Sequence, residues 1–256
     1  METKRNQKYF TSKGINVILI VGLVVCLLGI ALLFQINTRP FGLVILLVGS
    51  AIAVYGSGAK SGEADIDNQI HGIVKDIPEQ AQIKHEVYER HFLKIINPVF
   101  IRGFDYSVED LLCKKGPDHK YRTQSYNAAQ LYFTKEKIYI YGKHIDLLDD
   151  SEEKNYEFSD AILYENVEKA YVEPAVVKVN GRDVKVFYFV LQLKNGTNAI
   201  RISVEYGADV DKACDDINHV TEKMTAFAIE RAADKAAKRA FLREHDAKMA
   251  AAGANE

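Results

Sequence analysis

The stretch "CKKGPDHKYRTQ" at 113–124 gathers Lys114, Lys115, Lys120 and Arg122 around a Gly-Pro turn. Arginine presents a planar two-pronged donor and lysine a compact point charge, so this set could hold a phosphate-bearing headgroup. A looser reading is general attraction to anionic lipid, about 1 kcal/mol per basic residue near a bilayer. The third is a solvated loop that happens to be basic. Asp118 inside the stretch, with Glu109 and Asp110 just upstream, offsets part of its charge.

Other spacings promise less. "HEVYERH" (85–91) resembles a zinc-binding helix by letters, but the residue four after His85 is Glu89. His85 and Glu89 could share a helix face without a third ligand of matching spacing, so an exposed polar face is expected. "DLLDDSEEKNYE" (146–157) lacks the alternating ligands and the glycine of a calcium loop. Cys26, Cys113 and Cys214 are too scattered for a disulfide framework or a metal quartet. No nucleophile elbow, phosphate loop or dinucleotide fingerprint occurs. The sequence therefore implies no catalytic constellation, no cofactor and no metal. Fourteen tyrosines without a tryptophan fall mostly in strand-like runs, where a ring packs and a hydroxyl reaches water.

The elements that would position these residues begin with two apolar runs. Between Gly14 and Thr38 no residue is charged, and "FGLVILLVGSAIAVYGSGA" (41–59) follows after a turn at Arg39-Pro40. Roughly 20 apolar residues span a hydrocarbon layer of about 30 Å as a helix. A transmembrane helical hairpin is expected over 15–59, after a cytoplasmic N-terminus, 1–14. Gly22, Cys26 and Gly29 in the first span, with Gly42, Gly49, Ala53 and Gly56 in the second, form small-residue stripes that let helices approach closely. The stripes could close the hairpin alone or also drive oligomers.

Lys4, Arg5, Lys8 and Lys13 precede the first span, and only Arg39 lies in the turn, which places both termini and the main domain in the cytoplasm. The expected location is the cell (inner) membrane, multi-pass. Residues 1–61 hold six of the 33 Lys/Arg and one of the 35 acids, leaving 27 and 34 beyond. That acidic balance argues against a nucleic-acid partner.

In the juxtamembrane segment 60–98, Ile66, Ile70, Ile73 and Ile77 recur at helical spacing, Pro78 interrupts, and Ile83, Val87, His91 and Ile95 resume the pattern. This predicts a kinked amphipathic stalk helix covered by the following domain or by another subunit. From 99 the period changes to strands. "AAQLYFTKEKIYIYG" (128–142) reads as strand–turn–strand, "AILYENVEKAYVEP" (161–174) as a strand pair or bent strand. Asn180-Gly181 and Asn195-Gly196 mark tight hairpins in an antiparallel meander. Val210, Ala213, Ile217, Val220, Met224 and Phe227 then fall on one side of a helix. The Ala-rich charged remainder, 231–256, carries the i,i+4 pairs Asp234–Lys238 and Glu244–Lys248 and is expected to project or to lie on a partner.

This order of elements over 99–230 resembles a pleckstrin-homology-like domain of the bacterial PH or GRAM type. "LYFTKEKIYIYG" is similar to that family's strand–turn–strand opening, "ILYENVEKAYVE" to its next hydrophobic strand, and "FYFVLQLKNGTNAIRISV" to the strands before its closing helix. The resemblance implies an antiparallel β-barrel or sandwich with a C-terminal helix. It also implies that a basic loop such as Lys114–Arg122 can serve phosphoinositides. The expected whole is a membrane-anchored α+β protein presenting a binding or scaffold domain for a protein partner or a homo-oligomer. Two alternatives stand beside it. One is the sensing or handling of anionic membrane lipids through 114–122; the other is an accessory subunit of a transporter or membrane enzyme complex.

Overall fold

The computed structural model describes residues 3–11, 17–34, 38–57, 62–108 and 110–253, with side chains to 243. Lys13, Glu109 and the Glu244–Lys248 side chains lie outside the described set. Helix α1 (Thr3–Thr11) is followed by two apolar helices, α2 (Val17–Leu33) and α3 (Arg39–Ser57). Among the described residues, α3 is the one helix long and apolar enough to cross a membrane; α2, without a charged residue, has 17 residues. The two pack antiparallel through the small-residue stripes. A Cβ on Gly29 would lie 2.6 Å from the backbone N of Leu46, and one on Gly49 2.6 Å from that of Cys26. The stripes thus face each other inside one chain.

Among the described residues nine strands form three sheets, the two larger ones packed as layers. A four-stranded antiparallel sheet runs in the order β1 (Val99–Phe104), β4 (Ser125–Phe133), β5 (Lys137–Asp146), β6 (Tyr156–Leu163). The short hairpin β2 (Cys113–Lys115) and β3 (Tyr121–Thr123) is inserted between β1 and β4. The second sheet is a meander of β7 (Val167–Val179), β8 (Arg182–Leu193) and β9 (Asn198–Val204). Both Asn-Gly dipeptides are turns. Asn180 and Gly181 take positive φ between β7 and β8, while at the β8–β9 turn Gly196 alone does, after a type I turn closed by its N–H on Leu193 O.

Alternate residues of β4 and β5 serve different cores, as strand geometry requires. Leu131, Phe133, Ile138 and Ile140 point to Phe189, Leu191 and Ile202 of the second sheet and to Ile217 and Val220 of the C-terminal helix. Ala128, Tyr132 and Tyr141 point the other way, to Ile66, Ile70, Val74 and Ile77. The four-stranded sheet is therefore covered on both faces.

That second layer corrects the expected stalk. The segment 60–98 is two short helices laid on the sheet, α4 (Glu63–Val74) and α5 (Ile77–His85). Pro78 stands in the first turn of α5, where its missing N–H costs nothing, so it starts a helix rather than kinking one. Helix α5 stops at Glu86, whose φ of 53° is left-handed. Ile83 and Ile95, read as apolar-face residues, are exposed. Tyr132 and Tyr141 donate their hydroxyls to Pro78 O and Gln80 Oε1, at 2.8 and 2.9 Å, and fix α5 to the sheet. Because α5 ends, His85 and Glu89 share no helix face; His85 is instead half-buried, its Nε2 2.8 Å from Ile140 O.

Gly72, exposed within α4, has open space where a Cβ would stand. Gly72→Ala is expected to stabilise the chain by about 0.5–1 kcal/mol through helix propensity alone, read as a small rise in Tm.

Helix α6 runs unbroken from Ala208 to Gly253, across the boundary expected at 230/231. Cys214, Ile217, Val220 and Met224 are buried against the sheets, and Asn218 grips the β7 edge by bonding both N–H and C=O of Ala170. Phe227 is exposed, as is every residue from Ala226 to Arg243, Phe241 and Leu242 included. That part of the helix projects.

Candidate functional site

The basic stretch divides between two faces. Lys114 belongs to the seam that holds the N-terminal helix. Its Nζ donates to Tyr9 O at 3.2 Å and sits 4.1 Å from the Tyr9 ring centroid. In the same seam Asn6, fully buried, donates to Leu147 O and to Gln69 of α4 at 3.0 and 2.9 Å. Tyr9 and Phe10 are buried beside Ile66 and Ile70, and burial holds the Tyr9 hydroxyl well above its ordinary pKa. Lys115 is exposed, with its Nζ 5.4 Å from the Tyr121 ring centroid.

Arg122 is not a solvated cation. Its side chain is 5% exposed, and its guanidinium is forked twice. Nε and Nη2 donate to the two carboxylate oxygens of Asp67 on α4 at 2.9 and 2.7 Å. Nη1 and Nη2 donate to Asp118 at 3.1 and 2.9 Å. The hydrogen bonds from Arg122 hold the Asp118 carboxyl down at about 2. Lys120 pairs with Glu205 at 2.9 Å, both well exposed, which is worth at most about 1 kcal/mol. The headgroup expectation required Lys120 and Arg122 to be open to a phosphate; both are occupied by carboxylates of this chain.

Lys120 and Arg122 nevertheless line a groove of about 720 Å³, within the usual range for binding sites. One wall is α4, from Asp67 to His71, and the other is the β2–β3 hairpin, His119 to Arg122. The floor comes from Arg102 to Phe104 of β1, with Tyr106 and Tyr126. The far end comes from Val184 to Phe187 of β8 and from the chain leaving β9, Ser203 to Tyr206. Aromatic contacts stiffen it. Phe104 meets Tyr126 edge-on at 5.0 Å, and Phe187 stacks on Tyr206 at 4.5 Å. Arg102 and Lys185 lie over the Phe100 and Phe187 rings, at 5.7 and 4.9 Å from their centroids. Neither of these cations is marked out by its local sequence. Each stands alone in a strand run, and only the fold brings them to one groove.

Chemistry elsewhere is muted. Burial pushes the Cys113 and Cys214 thiols up to about 12 and 11, away from the thiolate that a nucleophile needs. Ser107, Asp105, Asn127 and His144 form a chain, but the serine hydroxyl donates straight to Asp105 at 2.6 Å. His144 Nδ1 meets Asn127 Oδ1 at 2.7 Å, and Asn127 in turn donates to Asp105. The histidine therefore does not stand next to the serine as a base would, and burial lowers its pKa. Among the described residues no cluster of His, Cys, Asp and Glu could hold a metal ion.

Compared with protein-family models, curated proteins and solved structures, the chain finds no match.

Proposed function

We propose that this is an integral membrane protein whose two apolar helices cross the bilayer as a hairpin. Its α+β domain, pleckstrin-homology-like in plan, stands at the cytoplasmic face as a binding module for protein partners or further copies of itself. The observation that carries the reading is the docking of α1 onto the domain. Helix α1 precedes the apolar pair and the domain follows it, yet Asn6, Tyr9 and Phe10 are buried against α4 and the loop after β5. Both ends of the pair therefore belong on one side of a membrane, so the number of crossings is even. On this reading α3, long and apolar enough to cross, is matched by a return crossing of α2. Its 17 residues span about 25 Å, a shortfall that local thinning of the bilayer can absorb.

Two further features support it. The outward faces of α2 and α3 are leucine and valine without charge, among them Leu27, Leu28, Leu47 and Val54, all more than half exposed. Such a surface suits lipid rather than water. The excess of Lys4, Arg5, Lys8 and Lys13 over Arg39 sets the orientation. The order of a four-stranded meander, a three-stranded meander and a closing helix accords with the pleckstrin-homology-like plan.

The test uses single cysteines in a chain otherwise free of them. In intact cells an impermeant maleimide should label Arg39→Cys and leave Asp183→Cys untouched until lysis. Labelling of both, or of Asp183→Cys alone, would overturn the topology.

A further inference from the structure

The groove holds an unused strand edge. Strand β8 pairs with β7 from Arg182 onward, but β9 pairs only with Phe187 to Gln192. Over 182–186, β8 is thus bonded on one side alone, and Val184, Lys185 and Val186 line the groove on the other. Backbone groups alternate in direction along a strand, so about half the N–H and C=O groups of this stretch face the open side. Beyond Val204 the chain turns away toward α6, with Tyr206 stacked on Phe187 closing the near end.

We infer that this groove binds an extended acidic peptide of a protein partner, which adds to β8 in line with β9. The inference rests on the reading of the domain as a binding module and names its ligand class. Strand addition takes its affinity from main-chain bonds and its specificity from alternate side chains. Opposite Lys185 the incoming strand meets a cation, with Arg102 lining the same groove; the lining carboxylates Asp67 and Glu205 are paired to Arg122 and Lys120, and Asp183, on the Lys185 face, lies outside the lining. Among the described residues neither has a carboxylate within ion-pair distance, whereas Lys120 and Arg122 already do. Opposite Val184 and Val186 the strand meets apolar surface, on the β8 face that packs with Tyr106. Alternation of acidic and apolar residues therefore fits, because cross-strand neighbours on one face interact. A phosphate headgroup would find the forked arginine taken and would leave the strand edge unused.

The test uses the full chain in detergent micelles and a fluorescent heptapeptide of alternating glutamate and valine. Three comparisons accompany it: the same peptide N-methylated at alternate amides, a lysine–valine analogue, and vesicles containing 30% phosphatidylglycerol. The glutamate–valine peptide should bind at least tenfold tighter than either altered peptide and slow amide exchange within 182–186. Lys185→Glu or Arg102→Glu, both at exposed positions, should each weaken it about tenfold. Equal binding of the N-methylated peptide would overturn strand addition. So would unchanged exchange at 182–186, or protection there by vesicles and not by peptide, which would make the occupant a lipid headgroup. A chain that labels with the expected topology but ignores the peptide rejects this site and leaves the membrane-anchored module standing.

Discussion

Arg122→Met is expected to lower stability by about 2–3 kcal/mol and to free α4 from the β2–β3 hairpin. Removing one partner of a buried ion pair typically costs about 3–5 kcal/mol, because an uncompensated charge stays behind. Here the carboxylates left behind, Asp67 and Asp118, are 49% and 42% exposed and can rehydrate, which brings the cost below that range. Methionine keeps most of the volume, so the loss reports the guanidinium rather than a cavity. Amide exchange should quicken across α4 and the hairpin before the sheets respond. Neutralising the carboxylates as well, through Asp67→Asn and Asp118→Asn, should return much of the loss. Lys120→Met, which breaks only an exposed pair, should cost less than 1 kcal/mol.

The same cluster fixes a pH dependence. Asp118 titrates at about 2 when folded, below the ordinary aspartate value of about 3.9. A depressed carboxyl adds stability above its unfolded pKa, and that contribution disappears as pH falls through the folded value. Stability should therefore drop between about pH 4 and pH 2, and the drop should shrink in Arg122→Met. A chain whose acid limb is unchanged by that substitution would place the pH sensitivity elsewhere.

What the sequence revealed and what it hid follow from the range of the interactions. The Asn-Gly turns, the β4–β5 hairpin and the buried stripe of α6 are local patterns, and they stand where spacing put them, apart from the exposed Phe227 at the end of the stripe. The two fates of the basic stretch are not local. Nothing within 113–124 distinguishes Arg122 from Lys120, because the partner that buries it, Asp67, is 55 residues away on another element. The end of α5 was hidden for a different reason: Glu86 takes a left-handed φ without being glycine or asparagine, so no stop signal is written there. The isoleucines of 60–98 require a cover, and the sequence leaves open whether the following domain or another subunit supplies it. That cover is the outer face of β4 and β5, whose apolar residues run on both parities and so blur the period of a half-exposed strand. The groove draws on α4, β1, the β2–β3 hairpin and the β8–β9 ends, and of these only the hairpin, with its basic stretch, stands out in the sequence.

The small-residue stripe between α2 and α3 gives the second large effect. A Cβ at Gly22, Gly29, Gly49 or Gly56 would lie 2.5, 2.6, 2.6 and 2.8 Å from a backbone nitrogen of the facing helix, at Ala53, Leu46, Cys26 and Leu19. Backbone cannot swing aside as a side-chain tip can, so any larger residue forces the axes apart. Overpacking of this kind costs about 1–3 kcal/mol per site, and in lipid no hydrophobic force between the helices makes up for lost contact. Cys26 and Ser50 face each other across this seam with Sγ and Oγ 3.6 Å apart, which provides the readout. In a Ser50→Cys chain, mild oxidation should join the helices quickly. Adding Gly29→Leu or Gly49→Leu should slow that cross-link at least tenfold, whereas Val44→Leu on the exposed face should leave it unchanged. The two glycines act on one interface, so the double variant should fall short of the sum of its parts. If both leucine variants cross-link at the parent rate, the close approach of α2 and α3 does not hold the hairpin. The proposed hairpin would then be supported by the docking of α1 onto the domain and not by the pairing of α2 with α3.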